Sequence, residues 1–444
     1  MLRPGLLSAV VAISLGFFAE GVYAQGNGAG GILIDAEGVL QPQQIVPGLT
    51  GKGRSAKKDS QPGEVCVSLR RLSEVLSHSK PDEIPADVYV LGGLTRIDQI
   101  VVDAESRDVL LIGPGEAQAA GNGPTFVGES TARPLMRTGD FLTMLNAARG
   151  GRFLVRCSID PEPARLKEYN DRIRATAARV TFNNAAAWYQ DLARILGRQI
   201  VTVEGLPGDS RISNVLAAAD YSMKRIALGL EPSGVKEIRG QLLYAAGDAG
   251  ATMKRWWFAP LYDDLAVNPE RTVFQLSGQR VKLLAQQELI LDDGRRIDAD
   301  RNRPSTEAFA RQFTEHFEEL TAVRPIFADL KNQFDLAIVA ALLLQEKLLD
   351  RMEIAFEVSP EVHERLSPGC RTPRFVESGA NIRRVNRGTI VGVVGGVDIS
   401  PRSVIGRERS GARDPSSARR EAPAELSETQ FSWRVQAPSQ PGER

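Results

Sequence analysis

Three consecutive aromatics, Trp256-Trp257-Phe258, are the residues of this sequence best suited to holding a ligand. On a strand the side chains alternate, so Trp256 and Phe258 share one face and Trp257 takes the other. If only one face is packed, one indole is left to stack on the apolar side of a sugar ring. If both faces are covered, all three rings are core, where large aromatics mostly go. A second group lies on one helical segment after Ser210: Asp220 and Lys224, four apart, flank an apolar stripe of Ile212, Val215, Leu216, Ala219, Met223 and Ile226. That spacing predicts a surface ion pair worth roughly 0.3 kcal/mol, with Tyr221 pointing away from the stripe. Trp257, Tyr221, Asp220 and Lys224 are therefore the candidate binding residues.

Other patterns fail on inspection. Gly208-Asp209-Ser210 sits between a strand and a helix, the context of a GDS-type esterase serine, but that chemistry needs a histidine three residues after an aspartate. His78, His316 and His363 are preceded at that spacing by Val75, Phe313 and Pro360, so Asp209-Ser210 is read as a helix cap. Asp298-Ala299-Asp300-Arg301-Asn302 begins like a calcium loop, yet Arg303 replaces the required glycine and Phe309 the bidentate glutamate. His316 falls seven residues after Phe309, in the middle of an apolar helix face, with no His or Cys cluster to complete a metal site. Gly26 to Gly31 follows no strand and reads as linker. Arg383, Arg384 and Arg387 read as a solvated strand edge. No catalytic set emerges, and neither a cofactor nor a metal is called for.

The N-terminus carries the clearest address. Arg3, an apolar run from Leu6 to Ala19, and Val22-Tyr23-Ala24 before Gln25 have the three parts of a secretory signal, and the run is too short to span a bilayer. Export with cleavage after Ala24 is expected. The chain has 55 basic and 55 acidic residues, and the leader takes one of each, Arg3 and Glu20. Zero net charge argues against nucleic acid as a partner.

Three cysteines, Cys66, Cys157 and Cys370, cannot build a disulfide framework in 444 residues. Alternation from Phe153 puts Cys157 on an inward strand face, and Cys370, in a loop beside Arg371, is the more reactive candidate.

The elements that must position these residues read as α+β, mixed helices and mostly antiparallel strands. Residues 25–62 are a flexible linker with one docked strand at Gly31 to Asp35. Residues 63–240 form an αβ domain, in which Asp160-Pro161 starts a polar helix. Residues 241–400 form a β-meander plus a helical pair, packed on the preceding domain. Phe309, Phe313, Phe317 and Leu320 mark one amphipathic helix, and Ile326 to Leu349 a longer one whose apolar run, Leu336 to Leu344, is a buried segment. Residues 401–444 are too polar to fold alone and read as a disordered tail, with Phe431 to Val435 a short docking motif within it.

Three stretches carry a resemblance: Gly30 to Leu40 (GGILIDAEGVL), Asp209 to Pro232 (DSRISNVLAAADYSMKRIALGLEP) and Gly395 to Ile399 (GGVDI). Together they resemble a large uncharacterised family of exported proteins best known from planctomycete bacteria. The resemblance implies export and one continuous unit over about residues 30–400, with no activity attached. The expectation is an exported envelope or periplasmic binding or scaffold protein, with envelope polysaccharide or another envelope protein as its partner. The alternative is an envelope hydrolase acting on glycans through a carboxylate pair.

Overall fold

The computed structural model describes residues 34–35, 37–41, 63–120, 126–151, 153–181, 183–241, 252–291, 295–298, 304–378, 393–412 and 429–435. Residues 1–33, 42–62 and the three arginines at 383, 384 and 387 lie outside them. The strands form two mixed sheets, mostly antiparallel within an α+β fold, as the sequence predicts. The larger sheet runs β1 (Val39–Leu40), β12 (Phe375–Glu377), β6 (Arg198–Glu204), β5 (Val155–Pro161), β13 (Val393–Ile399), β7 (Thr252–Leu261), β10 (Arg280–Ile290), β11 (Arg296–Asp298). The smaller runs β14 (Glu408–Ser410), β8 (Leu265–Val267), β9 (Val273–Gln275), β3 (Gln99–Asp103), β4 (Asp108–Gly115), β2 (Gly63–Ser68), β15 (Ser432–Val435). The outer strands of the 252–290 stretch, β7 and β10, pair with each other, while β8 and β9 between them in sequence join the second sheet.

Helices α1 (Leu69–His78), α2 (Thr138–Arg149), α3 (Pro163–Thr176), α4 (Ala185–Leu196), α5 (Arg211–Ala227), α6 (Pro304–Glu315), α7 (Phe317–Val323), α8 (Pro325–Gln345), α9 (Leu348–Arg351), α10 (Pro360–Leu366) and α11 (Arg402–Ile405) complete the fold. α3 and α4 form a hairpin between β5 and β6 with a small core of their own, around Leu166, Tyr169, Tyr189 and Leu192. α5 packs on β5 and β13, and α8 lies against α5 and α2. α8 is enclosed along its length: Leu330, Phe334, Leu336 to Ala340, Leu342 and Leu343 are all buried, and so are the polar Asp329, Asn332, Gln333 and Asp335 of its first half. Among the described residues, no helix is long and apolar enough to cross a membrane.

A charged cluster ties the two sheets together. Asp335 of α8 accepts from the Ile97 amide (3.1 Å) and the Tyr262 hydroxyl (2.7 Å), and lies 3.1 Å from Arg280. Arg280, at the start of β10 and 1% exposed, also donates to Asp98 (2.7 Å), just before β3. Arg280 and Asp335 are buried ions, and the cluster draws its partners from four distant segments, an arrangement no local pattern announces.

Several local expectations shift. β5 continues through Pro161, so the helix start moves to Pro163, where the ring's fixed φ suits the first helical position. Asp160 is thereby left on a strand. The single helix expected over Phe309 to Leu320 breaks at His316, although all four apolar residues are fully buried. Of the strand expected at Gly31 to Asp35, residues 31–33 lie outside the described residues; Ile34 bridges Leu40 across the turn at Gly38, and Val39–Leu40 forms the edge strand β1. Residues 401–444 contribute α11, β14 and β15 among the described residues. Phe431 is fully buried and β15 pairs with β2, so an existing sheet edge supplies the partner surface this segment cannot provide for itself.

Candidate functional site

The register of the larger sheet decides which aromatic is available. Val203, Cys157, Val397 and Phe258 lie in one cross-strand row, and Thr202, Ser158, Gly396 and Trp257 in the next. Neighbouring rows face opposite sides of a sheet. The first row looks into the helices. Phe258 packs on Phe313, Phe317 and Phe327, with centroids 5.8 to 6.4 Å apart. Trp256, on the same side, stands edge-on to Phe309 at 5.2 Å and donates its indole N–H to Thr306 O at 3.1 Å.

Trp257 is only half-buried, on the opposite face. There it lines an open hollow of about 470 Å³ together with Ser158, Thr202, Gln286, Arg156 and Arg255. The Arg255 guanidinium lies 5.3 Å from the indole centroid, against its π-face. Gly396 leaves bare backbone beside the ring. Nothing larger fits there, since a Cβ would come within 2.4 Å of Cys157 O.

Three carboxylates line the same hollow: Asp160, Glu204 and Asp398. Asp398 accepts from Arg156 Nε at 3.2 Å and Asp160 from Arg296 Nη2 at 2.7 Å. Glu204 is exposed and has no partner among the described residues. The hollow thus offers one aromatic face surrounded by hydroxyl, amide and charged groups.

The other three candidate residues are on the far side of the sheet. Asp220 is wholly buried and Lys224 is 4% exposed; Lys224 Nζ sits 3.1 Å from Asp220 and donates to Ile159 O at 3.0 Å. This corrects the surface pair: α5 lies between the sheet and α8, so its polar flank is covered as well as its stripe. Burial pushes the Asp220 carboxyl up to about 6, against the pull of Lys224. Tyr221 lines a small recess with Val376, Glu377 and Gln199. It is 6% exposed, with its hydroxyl 3.4 Å from Glu377 O and Arg225 over its ring. The four candidates therefore do not converge.

Cys157 points inward as the alternation predicts, and burial drives its thiol well above the usual range. Cys370 is half-buried, donates to Pro368 O at 3.3 Å, and is likewise raised by burial, so it is not an activated thiol. No disulfide joins any of the three cysteines to one another. Ser210 caps α5, its Oγ accepting from the Ser213 amide at 3.2 Å.

Arg156, Ser158, Asp160, Thr202, Glu204, Gln286 and Asp398 were not singled out as site residues in the sequence. Their signal was the polar alternation Arg156-Ser158-Asp160 and Thr202-Glu204, which marks an uncovered sheet face but names no ligand.

A family described as "Protein of unknown function (DUF1598)" matches residues 157–240. That stretch runs from β5 through α5, contributes Ser158, Asp160, Thr202 and Glu204 to the hollow, and contains the buried Asp220–Lys224 pair. It also includes one of the three stretches of the sequence resemblance, Asp209 to Pro232. No curated protein and no solved structure matches the chain.

Proposed function

We propose that this chain is an exported binding protein that holds a saccharide of the cell envelope on the Trp257 face of its larger sheet. The observation that carries the reading is Trp257 itself, an indole left half-open beside a glycine floor in a hollow rimmed by polar side chains. A sugar ring presents an apolar C–H face to an aromatic platform and hydroxyls around its edge. Ser158, Thr202, Gln286 and Glu204 are the groups positioned to meet those hydroxyls. Export rests on the signal-like leader.

Binding is favoured over glycan hydrolysis by the state of the carboxylates. Hydrolysis uses two, one as acid and one as base or nucleophile. Here Asp160 and Asp398 are each engaged by an arginine, which leaves Glu204 alone.

Retention of purified protein on envelope polysaccharide, compared with Trp257→Ala, tests the proposal. The variant should keep its melting temperature and bind at least about tenfold more weakly, the scale of losing a central aromatic anchor. Failure of the wild type to bind, or equal retention of the variant, would overturn it. Release of new reducing ends that Glu204→Gln abolishes would favour the hydrolase.

A further inference from the structure

The sequence gives His316 no metal-binding partner, but the fold supplies two. α6 ends at Glu315 and α7 begins at Phe317, and His316 between them is non-helical, with φ −107° and ψ 22°. The break lets Phe313 and Phe317 both remain fully buried while the imidazole between them reaches the surface, 26% exposed. One turn on, Glu319 places an oxygen 2.8 Å from Nδ1.

Glu237 arrives from a different segment, the loop after α5. A ring nitrogen of His316 and one oxygen from each glutamate lie within 4.8 Å of one another. The loop is held on both sides of Glu237. Val235 and Ile238 are buried, and Ser233 Oγ lies 2.7 and 2.9 Å from their carbonyl oxygens. Gly234 comes so close to α7 that a Cβ there would stand 3.1 Å from Val323 Cγ2.

Neither Glu237 nor Glu319 is paired with a lysine or arginine among the described residues. In a chain of zero net charge, this leaves a local surplus of negative charge beside an imidazole. Two carboxylates and an imidazole that converge in this way add their fields in favour of a cation.

We propose that Glu237, His316 and Glu319 bind one divalent metal ion of the zinc class, with water completing its coordination. An imidazole among the ligands points away from calcium and magnesium, whose sites are built from oxygen, and towards the borderline transition metals. Three protein ligands with an open position form an arrangement zinc accepts readily. Bonds of roughly 2.1 Å at tetrahedral angles place ligands about 3.4 Å apart, between the 2.8 Å of Glu319 from Nδ1 and the 4.8 Å that encloses all three ligand atoms, so side-chain adjustments of about an ångström seat the ion. The bound ion clasps the Glu237 loop to the junction of α6 and α7.

Calorimetric titration of the chelator-stripped full chain with zinc tests this, with cobalt(II) as a spectroscopic probe of coordination. One ion per chain and a visible cobalt d–d band are expected. His316→Ala and Glu237→Gln should each weaken binding by at least about tenfold, while Glu315→Gln and Cys370→Ser leave it unchanged. Both glutamates are exposed, so their glutamine variants should remain folded; circular dichroism checks this. Absence of stoichiometric zinc uptake, binding that survives both ligand variants, or binding that Cys370→Ser abolishes would overturn the assignment.

Discussion

Replacing Asp220 by asparagine should stabilise the protein at neutral pH, because burial disfavours the ionised carboxylate more than Lys224 favours it. The carboxyl rises from 3.8 to about 6 with the ammonium only 3.1 Å away. A group with a higher pKa folded than unfolded binds more protons in the fold. Its stabilising contribution is therefore complete below pH 3.8 and is lost as pH rises through 6. The shift is about 2 units, and at 1.36 kcal/mol per unit it corresponds to ~3 kcal/mol. Asparagine has the size of the neutral acid and no charge. Asp220→Asn should thus match wild type near pH 4 and exceed it by up to ~3 kcal/mol above pH 7. Urea unfolding followed by tryptophan fluorescence, at several pH values between about 4.5 and 7.5, measures the difference, with other titrating groups cancelling between the two proteins. Lys224→Met in the same series removes the counter-charge and should cost several kcal/mol at the upper end and much less near pH 5, where Asp220 is neutral. An Asp220→Asn protein less stable than wild type at pH 7.5, with the gap closing on acidification, would refute the reasoning. It would mean that attraction within the pair outweighs desolvation and that the carboxyl is lowered.

Trp256→Ala removes a fully buried ring with a hydrogen-bonded indole and should cost about 3–5 kcal/mol in the same unfolding assay. A loss below 1 kcal/mol would contradict its place in the core. Because no disulfide joins the three cysteines, reductant should move the melting temperature by less than about 2 °C, and a larger drop in a thermal scan would reveal a bridge.

What the sequence determined alone was what depends on short-range periodicity. Alternation placed Trp256 and Phe258 on the opposite face from Trp257 and turned Cys157 inward, since a strand's period of two is independent of what covers it. The cap at Ser210 was legible because its partner, the Ser213 amide, is three residues away. The apolar length of α8 marked it as enclosed.

What only the tertiary structure decided was which faces are covered. Spacing put Asp220 and Lys224 beside an apolar stripe, but their burial follows from α5 being closed in by the sheet and α8 together, elements that lie far apart in sequence. The hollow draws its side chains from β5, β6, β7, β10 and β13, whose order in the sheet is not their order in the chain. Glu237 and His316 likewise meet only because the Gly234 loop packs against α7. Local pattern fixes the direction a side chain takes from its own backbone; what it meets there depends on contacts between distant segments, and those are made only when the chain closes on itself.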